Sequence, residues 1–144
     1  MAEMTTTPAR ERPGTMHLAD ALQYRLPIAG IVSILHRASG ALMFVLLPFV
    51  IWLFDVSVTS EASYERFTAA YAGGAGFVPA WLVKLATLAL LWAYLHHAIA
   101  GLRHVWMDVA HAVEKPQGRS SAIFTLVSSL ILTAVFGARI FGLY

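Results

Sequence analysis

Three long runs of apolar residues divide the sequence, and each is long enough to cross a lipid bilayer as an α-helix. The runs cover about residues 28–54, 79–109 and 122–144, with polar connections between them. A helix rises about 1.5 Å per residue, so even the shortest run matches the ~30 Å thickness of the hydrocarbon core. The pattern predicts an all-α integral membrane protein with three transmembrane helices.

The segments outside these runs have the composition of surface structure. Residues 1–27 comprise a polar tail and, over 16–27, an amphipathic stretch that we predict to lie at the membrane surface or against another protein. Residues 55–77, with acidic side chains and a Gly-Gly pair, predict a solvent-side loop that can carry one short surface helix. Residues 111–121 predict a short connection. The chain is thus divided into an N-terminal segment and a membrane domain, 28–144.

The composition agrees with a chain that lies mostly in lipid. Hydrophobic residues make up 58% of the sequence and charged residues 12%, and the mean hydropathy is +0.67. The net charge of +2 is too small to indicate a nucleic-acid partner. The absence of cysteine excludes disulfides, iron–sulfur ligation and covalent haem attachment through C-x-x-C-H. The six histidines are therefore the candidates for holding a redox cofactor.

The distribution of basic residues predicts the orientation of the chain. The tail and the second connection carry six of them against three on the opposite side: Arg10, Arg12, Arg25, Arg103, Lys115 and Arg119 against Arg66, Lys84 and Arg139. Basic residues accumulate on the cytoplasmic side, so we expect a cytoplasmic N-terminus. The first two transmembrane helices are then antiparallel, with their cytoplasmic ends adjacent.

The first apolar run contains a polar cluster well inside its length. Its members are Ser33, His36 and Arg37. On insertion scales an ionisable side chain near the bilayer centre costs about 2.5–3.5 kcal/mol, so these groups need a compensating partner. Their spacing places all three on one broad face of the helix. We expect this face to meet a partner or a cofactor rather than lipid.

The second apolar run contains a matching polar stripe. It consists of His97, Gly101, His104 and Asp108, at i, i+4, i+7 and i+11. Counted from the cytoplasmic ends, His97 lies about 16 Å deep and His36 about 12 Å deep, so the two clusters converge on one level. A glycine one turn from a histidine lets a flat macrocycle approach the backbone, and a nearby arginine can neutralise haem propionates.

Structural explanations compete with this interpretation. An intramembrane histidine can simply hydrogen-bond a neighbouring helix. For His97 taken alone, the sequence fits this explanation as well as it fits cofactor binding. A structural role is favoured for three other histidines, His17, His96 and His111. For Arg103 and His104, near the cytoplasmic boundary, contact with solvent or lipid is as compatible as contact with a propionate. Ser39 and Gly40 are interpreted as small packing residues.

Two segments of the chain resemble a known family. Residues 12–40 contain S-I-L-H-R-x-S-G, and residues 96–108 contain H-x-x-x-G-x-R-H-x-x-x-D some sixty residues later. Together they are similar to the two signatures of the cytochrome b subunit of succinate dehydrogenase, one half of a two-subunit membrane anchor. The third apolar run resembles that family only in hydrophobicity and position. The resemblance implies a bacterial inner (cytoplasmic) membrane protein.

The resemblance implies a b-type haem and assigns residues to it. His97 corresponds to an axial ligand of the haem iron, and the other axial histidine would come from the companion anchor subunit in a larger helical bundle. His36 would contact a haem propionate, and His104 is a further candidate for such a contact. Arg37 would lie between the haem and a quinone.

The resemblance also implies a ubiquinone site near the cytoplasmic face. Ser33 and Arg37 would help form it, Ile34 would line it, and the companion anchor and the iron–sulfur subunit would complete it. Succinate would be oxidised at a flavin in a separate flavoprotein subunit, and electrons would reach the quinone through iron–sulfur centres. A fixed arginine charge suits this task because it stabilises negative charge that develops on the quinone.

Other functions stay open at this point. A cofactor-free membrane anchor, or a small proton-conducting subunit, could use the same histidines and arginine to hold helices together or to relay protons. An anchor for an enzyme that runs in the fumarate-reducing direction is a third possibility. The direction depends on quinone type and haem potential, which the sequence does not decide.

Overall fold

The architecture is described from a computed structural model, which covers residue 14 and residues 24–112 and 114–143. Within these ranges the chain forms four α-helices: α1 (Ile28–Val58), α2 (Glu61–Ala72), α3 (Ala80–Ala110) and α4 (Lys115–Ile140). The only β-type pairing in the described ranges is an isolated bridge between Ala75 and Val78. The polar tail and most of the amphipathic stretch predicted over 16–27 lie outside the described residues.

Three of the four helices are long and apolar enough to span a membrane, which confirms the predicted all-α membrane fold. Helices α1 and α3 each contain 31 residues and α4 contains 26, so they measure about 46 Å and 39 Å against a hydrocarbon core of ~30 Å. Helix α1 begins, α3 ends and α4 begins on one side of the membrane, called here the near side. Helix α2 lies on the far side.

Helix α1 continues to Val58, four residues beyond the predicted end at 54. The extension is polar, and its side chains bond its own backbone: the Ser57 hydroxyl donates to the Phe54 carbonyl at 2.7 Å, and the Thr59 hydroxyl donates to the Asp55 carbonyl at 2.6 Å. Hydroxyl side chains that bond the carbonyls of its last turns therefore let the helix continue beyond the apolar run, outside the hydrocarbon. Helix α3 lies within one residue of the predicted bounds.

The surface helix predicted in the first loop is α2. It begins with a capping box, in which the Ser63 N–H donates to the Ser60 hydroxyl at 3.2 Å and the Ser60 N–H donates to the Ser63 hydroxyl at 3.0 Å. The hydroxyl groups of Tyr71 and Thr87 lie 2.9 Å apart and join α2 to α3. The far-side loop is thereby packed against the bundle.

The largest difference from the sequence prediction is the start of α4, which begins at Lys115 rather than near 122. The connection predicted over 111–121 is therefore wrong for its last seven residues. Its proline lies in the first helical turn, where a missing N–H is tolerated, so the residue that suggested a loop instead begins a helix. Helix α4 ends at Ile140, before Gly142 with φ +72°.

Helix α4 packs against α3 and α1 through a stripe of small residues. The stripe is buried and mostly hydroxylated: Ala122, Thr125, Ser129, Thr133 and Gly137. The hydroxyls donate to their own helix, for example Thr125 to the Ser121 carbonyl at 2.9 Å and Thr133 to the Ser129 carbonyl at 2.7 Å. Small side chains with satisfied hydroxyls let membrane helices approach closely without burying an orphan donor.

Gly137 lets the Leu88 side chain of α3 pack directly against the backbone of α4. A Cβ atom there would lie 2.5 Å from Leu88 Cδ1. We predict that Gly137→Val lowers the unfolding free energy by about 1–3 kcal/mol because the Leu88 side chain must leave its position against α4. Gly118→Val on the same helix is the control, since a Cβ there meets nothing within 4 Å. Thermal unfolding of the purified protein, followed by circular dichroism, measures the difference; equal melting points for the two variants would contradict the packing.

Candidate functional site

A cluster of three histidine rings lies where α1 crosses α3. The rings of His36 and His97 stack with centroids 4.2 Å apart and an interplanar angle of 21°. The ring of His104 lies 5.2 Å from that of His36 at 46°. All three are partly exposed in the groove between the two helices. The two polar clusters do share one membrane level, as their spacing predicts.

Two glycines make the close crossing possible. A Cβ atom on Gly40 would lie 2.7 Å from His97 Cε1, and a Cβ atom on Gly101 would lie 3.7 Å from His36 Nε2. Each histidine ring therefore lies over the glycine of the opposite helix.

This arrangement changes the interpretation of both glycines. From the sequence Gly40 is expected to be a packing residue and Gly101 to give a macrocycle access to the backbone, whereas in the structure a histidine ring occupies the space beside each of them. The sequence does contain a signal for this pairing of rings and glycines, because α1 and α3 carry the same H-x-x-x-G spacing. Two antiparallel helices with this motif place the histidine of each beside the glycine of the other.

The environment of the His97 ring selects one tautomer. Its Nδ1 atom lies 2.9 Å from the main-chain carbonyl oxygen of His36. A carbonyl oxygen only accepts hydrogen bonds, so Nδ1 carries the proton and donates it. The Ser39 hydroxyl donates to the same carbonyl at 2.9 Å and lies 3.4 Å from Nδ1. The lone pair of His97 is therefore on Nε2, the arrangement that metal-ligating histidines adopt.

The neighbouring histidine faces the opposite way and has a different role. His96 is completely buried, and its Nδ1 lies 3.3 Å from the Ser129 hydroxyl of α4. The His96 ring also stacks on Trp92, 5.2 Å away, a residue that the sequence analysis did not single out. The geometry agrees with the structural role expected for His96.

Ser33 and Arg37 form a second polar feature, one turn apart on α1. Arg37 Nη2 donates to the Ser33 hydroxyl at 3.4 Å, and the arginine is exposed. Ile34 is 49% exposed and lies about 60° from Arg37 around the helix. The structure brings Ser33, Ile34 and Arg37 to one exposed surface of the near-side half of α1.

Arg103 does not face the histidine groove. It is buried against α4, where Nε donates to the Ser121 hydroxyl at 2.9 Å and Nη2 donates to the Gly118 carbonyl at 3.2 Å. The sequence leaves two positions open for Arg103, a contact with a propionate and a solvated or lipid-facing position. In the structure Arg103 links α3 to the first turns of α4, a segment predicted to be a connection.

The described residues contain no site at which this chain alone could bind a metal ion. No group of three or more His, Cys, Asp or Glu side chains in those ranges could hold one. A porphyrin supplies four of the iron ligands itself and needs only axial imidazoles from protein. The available Nε2 of His97 fits that requirement.

Comparison with known proteins identifies the family to which this chain belongs. The family described as Succinate dehydrogenase/Fumarate reductase transmembrane subunit matches residues 9–136. This range includes both histidine motifs and nearly all of the three membrane-spanning helices. The chain belongs to this family of transmembrane subunits.

Individual relatives cover most of the chain. The succinate dehydrogenase cytochrome b556 subunit of Paracoccus denitrificans is 30% identical over 123 residues, 85% of this chain and 89% of the relative. The subunit of the same name from Coxiella burnetii is 32% identical over 122 residues, 84% of this chain and 92% of the relative. The cytochrome b560 subunit of Reclinomonas americana is 30% identical over 105 residues, 72% of this chain and 68% of the relative.

The crossing at Gly40 leads to a prediction that is independent of any cofactor. Gly40→Ala places a methyl group 2.7 Å from His97 Cε1, so the ring must leave the His36 carbonyl. We expect the Nδ1–H tautomer of His97 to be lost, as measured by ¹⁵N NMR of histidine-labelled protein in lipid bilayers. Gly101→Ala is the matched control, because its methyl group makes an ordinary contact at 3.7 Å. An unchanged His97 signal in Gly40→Ala would show that the carbonyl does not hold the ring.

Proposed function

We propose that this chain is the cytochrome b subunit of a succinate:quinone oxidoreductase, which anchors the enzyme in the membrane, binds haem b and helps to form the ubiquinone-reduction site. The observation that carries the proposal is the His97 imidazole, whose Nδ1 is held by the His36 carbonyl and whose Nε2 is available for iron. The names of the relatives, succinate dehydrogenase cytochrome b556 and b560 subunits, support it.

Haem b supplies a one-electron redox centre when bound, and the residues around His97 suit its requirements. His97 would hold the haem iron, together with a second ligand from the companion anchor subunit. His36 lies beside the His97 ring, His104 lies beside the His36 ring, and both can donate to propionates. Arg37, next to His36 in sequence, offers the positive charge that buried propionates need.

The pair Ser33 and Arg37 supports the quinone assignment. Since Arg37 donates to the Ser33 oxygen, the Ser33 O–H is left to donate to a quinone carbonyl. Arg37 stabilises negative charge on that carbonyl during reduction, and does so more strongly in a low-dielectric site than in water. The exposed Ile34 offers an apolar wall for the quinone ring.

The remaining parts of the reaction belong to other subunits. A flavoprotein subunit would oxidise succinate, and an iron–sulfur subunit, docked on the near side, would deliver electrons to the quinone beside Arg37. The near side would then be the cytoplasmic face of a bacterial inner membrane, with the N-terminus on that face. This orientation agrees with the excess of basic residues on the near side.

The adjacent histidines of α3 provide a matched test of haem ligation. We expect His97→Ala to abolish or displace the b-type α-band in a dithionite-reduced minus air-oxidised spectrum of the purified complex. His96→Ala should keep the band and lower thermal stability by about 1–3 kcal/mol, because it removes a buried ring and its bond to Ser129. Absence of haem from the unmodified complex would refute the cytochrome assignment.

Quinone reduction and complex assembly can be separated with two arginine variants. We expect Arg37→Leu to lower succinate-dependent ubiquinone reduction by at least tenfold, because the charge on the reduced carbonyl loses its counter-charge. Succinate oxidation with an artificial acceptor should remain largely intact. Arg66→Leu, which changes an exposed arginine of the far-side helix α2, is the control and should leave both activities unchanged. Equal loss of both activities in Arg37→Leu would instead indicate failed assembly.

A further inference from the structure

Arg103 is a buried cation without a counter-charge among the described residues. Its side chain is only 8% exposed, and its two hydrogen bonds go to neutral oxygens, those of Ser121 and Gly118. No carboxylate in the described ranges lies within 4.0 Å of it. An unpaired charge inside a membrane protein is costly, and pairing it with an anion recovers part of that cost. The guanidinium has five N–H donors, so it can bind an anion as well.

The depth of Arg103 brings its guanidinium within reach of the lipid headgroups. It lies seven residues before the near-side end of α3 at Ala110, about 10 Å along the axis. A 46 Å helix in a ~30 Å hydrocarbon core leaves about 8 Å outside at each end, so Arg103 lies at the hydrocarbon boundary. Trp106 lies one turn nearer the surface and is 52% exposed, as expected for an aromatic residue in the interfacial belt.

A groove between α3 and α4 begins at Arg103. Its volume is about 670 Å³, and it opens to the side of the bundle. Ser120 and Ser121 line its near-side end together with Arg103, and its deeper part is lined mainly by apolar side chains, those of Ile99, Leu102, Phe124 and Leu132. Thr125 and Ser128 also line the deeper part, but their hydroxyls donate to carbonyls of α4. Leu132 lies about 16 Å deeper along α4 than Ser121. The groove is thus polar at the headgroup level and apolar towards the bilayer centre.

We propose that this groove binds a phospholipid of the near leaflet, with its phosphodiester on Arg103 and an acyl chain along the apolar lining. The negative phosphodiester supplies the counter-charge that the buried guanidinium lacks, and the remaining guanidinium N–H groups can donate to its oxygens. A free phosphate would leave the apolar lining uncovered, which is why we assign the anion to a lipid. The proposal does not depend on the haem or quinone assignments, because Arg103 faces away from the histidine groove.

The test is lipid retention by the purified complex, measured by native mass spectrometry after detergent delipidation and addition of vesicles of dioleoyl phosphatidylglycerol. We expect the unmodified complex to retain one phospholipid that Arg103→Gln loses, with at least a tenfold lower occupancy. Ser128→Phe fills the apolar part of the groove without changing the Arg103 contacts, so it should lose the same lipid even if Arg103→Gln fails to assemble. Arg119→Gln, an exposed arginine of α4, is the control and should retain it.

Three results would overturn the assignment. Equal retention by the unmodified, Arg103→Gln and Ser128→Phe complexes would place the lipid elsewhere. Retention of inorganic phosphate in place of lipid would remove the role of the apolar lining. No retained lipid in the unmodified complex would mean that the counter-charge comes from another part of the assembly, such as a carboxylate of a neighbouring subunit.

Discussion

The structure depends on one hydrogen bond, from Nδ1 of His97 on α3 to the main-chain carbonyl of His36 on α1. It brings two membrane helices close enough for each histidine ring to lie over a glycine of the other helix. It also decides which nitrogen of His97 is available for a ligand. Helix crossing, ring orientation and ligand chemistry are therefore consequences of the same contact.

Helix α3 carries its structural residues and its candidate ligand residues on two different faces. His96 and Arg103 are seven residues apart and share the face that bonds to α4, through Ser129 and Ser121. His97 and His104, also seven residues apart, share the face that meets His36. A helix at 100° per residue keeps these two stripes distinct even though their members are adjacent in sequence. Polar residues on one face hold the bundle together, so those on the other face are left for function.

Hydrophobicity and periodicity were enough to predict the three spans, the surface helix α2 and the common level of His36 and His97, because the bilayer imposes length and the helix imposes angle. The start of α4 was missed because Pro116, Gly118 and the serines are typical of turns in water, whereas here the proline lies in a first helical turn and an arginine from α3 bonds the next one. The role of Gly40 depends on its contact with the His97 ring. That contact is set by how α1 and α3 cross, and a local sequence pattern carries no information on the crossing.

The distribution of the His97 contact over two helices has a consequence for biogenesis. The carbonyl acceptor belongs to α1, the ring belongs to α3, and the far-side loop with α2 separates them in sequence. During insertion the first helix enters the bilayer well before the third, so His97 has no fixed tautomer until both are in place and packed. The ligand geometry is therefore a property of the completed hairpin of α1 and α3, and a newly made chain acquires it only after its second membrane-spanning helix is in place.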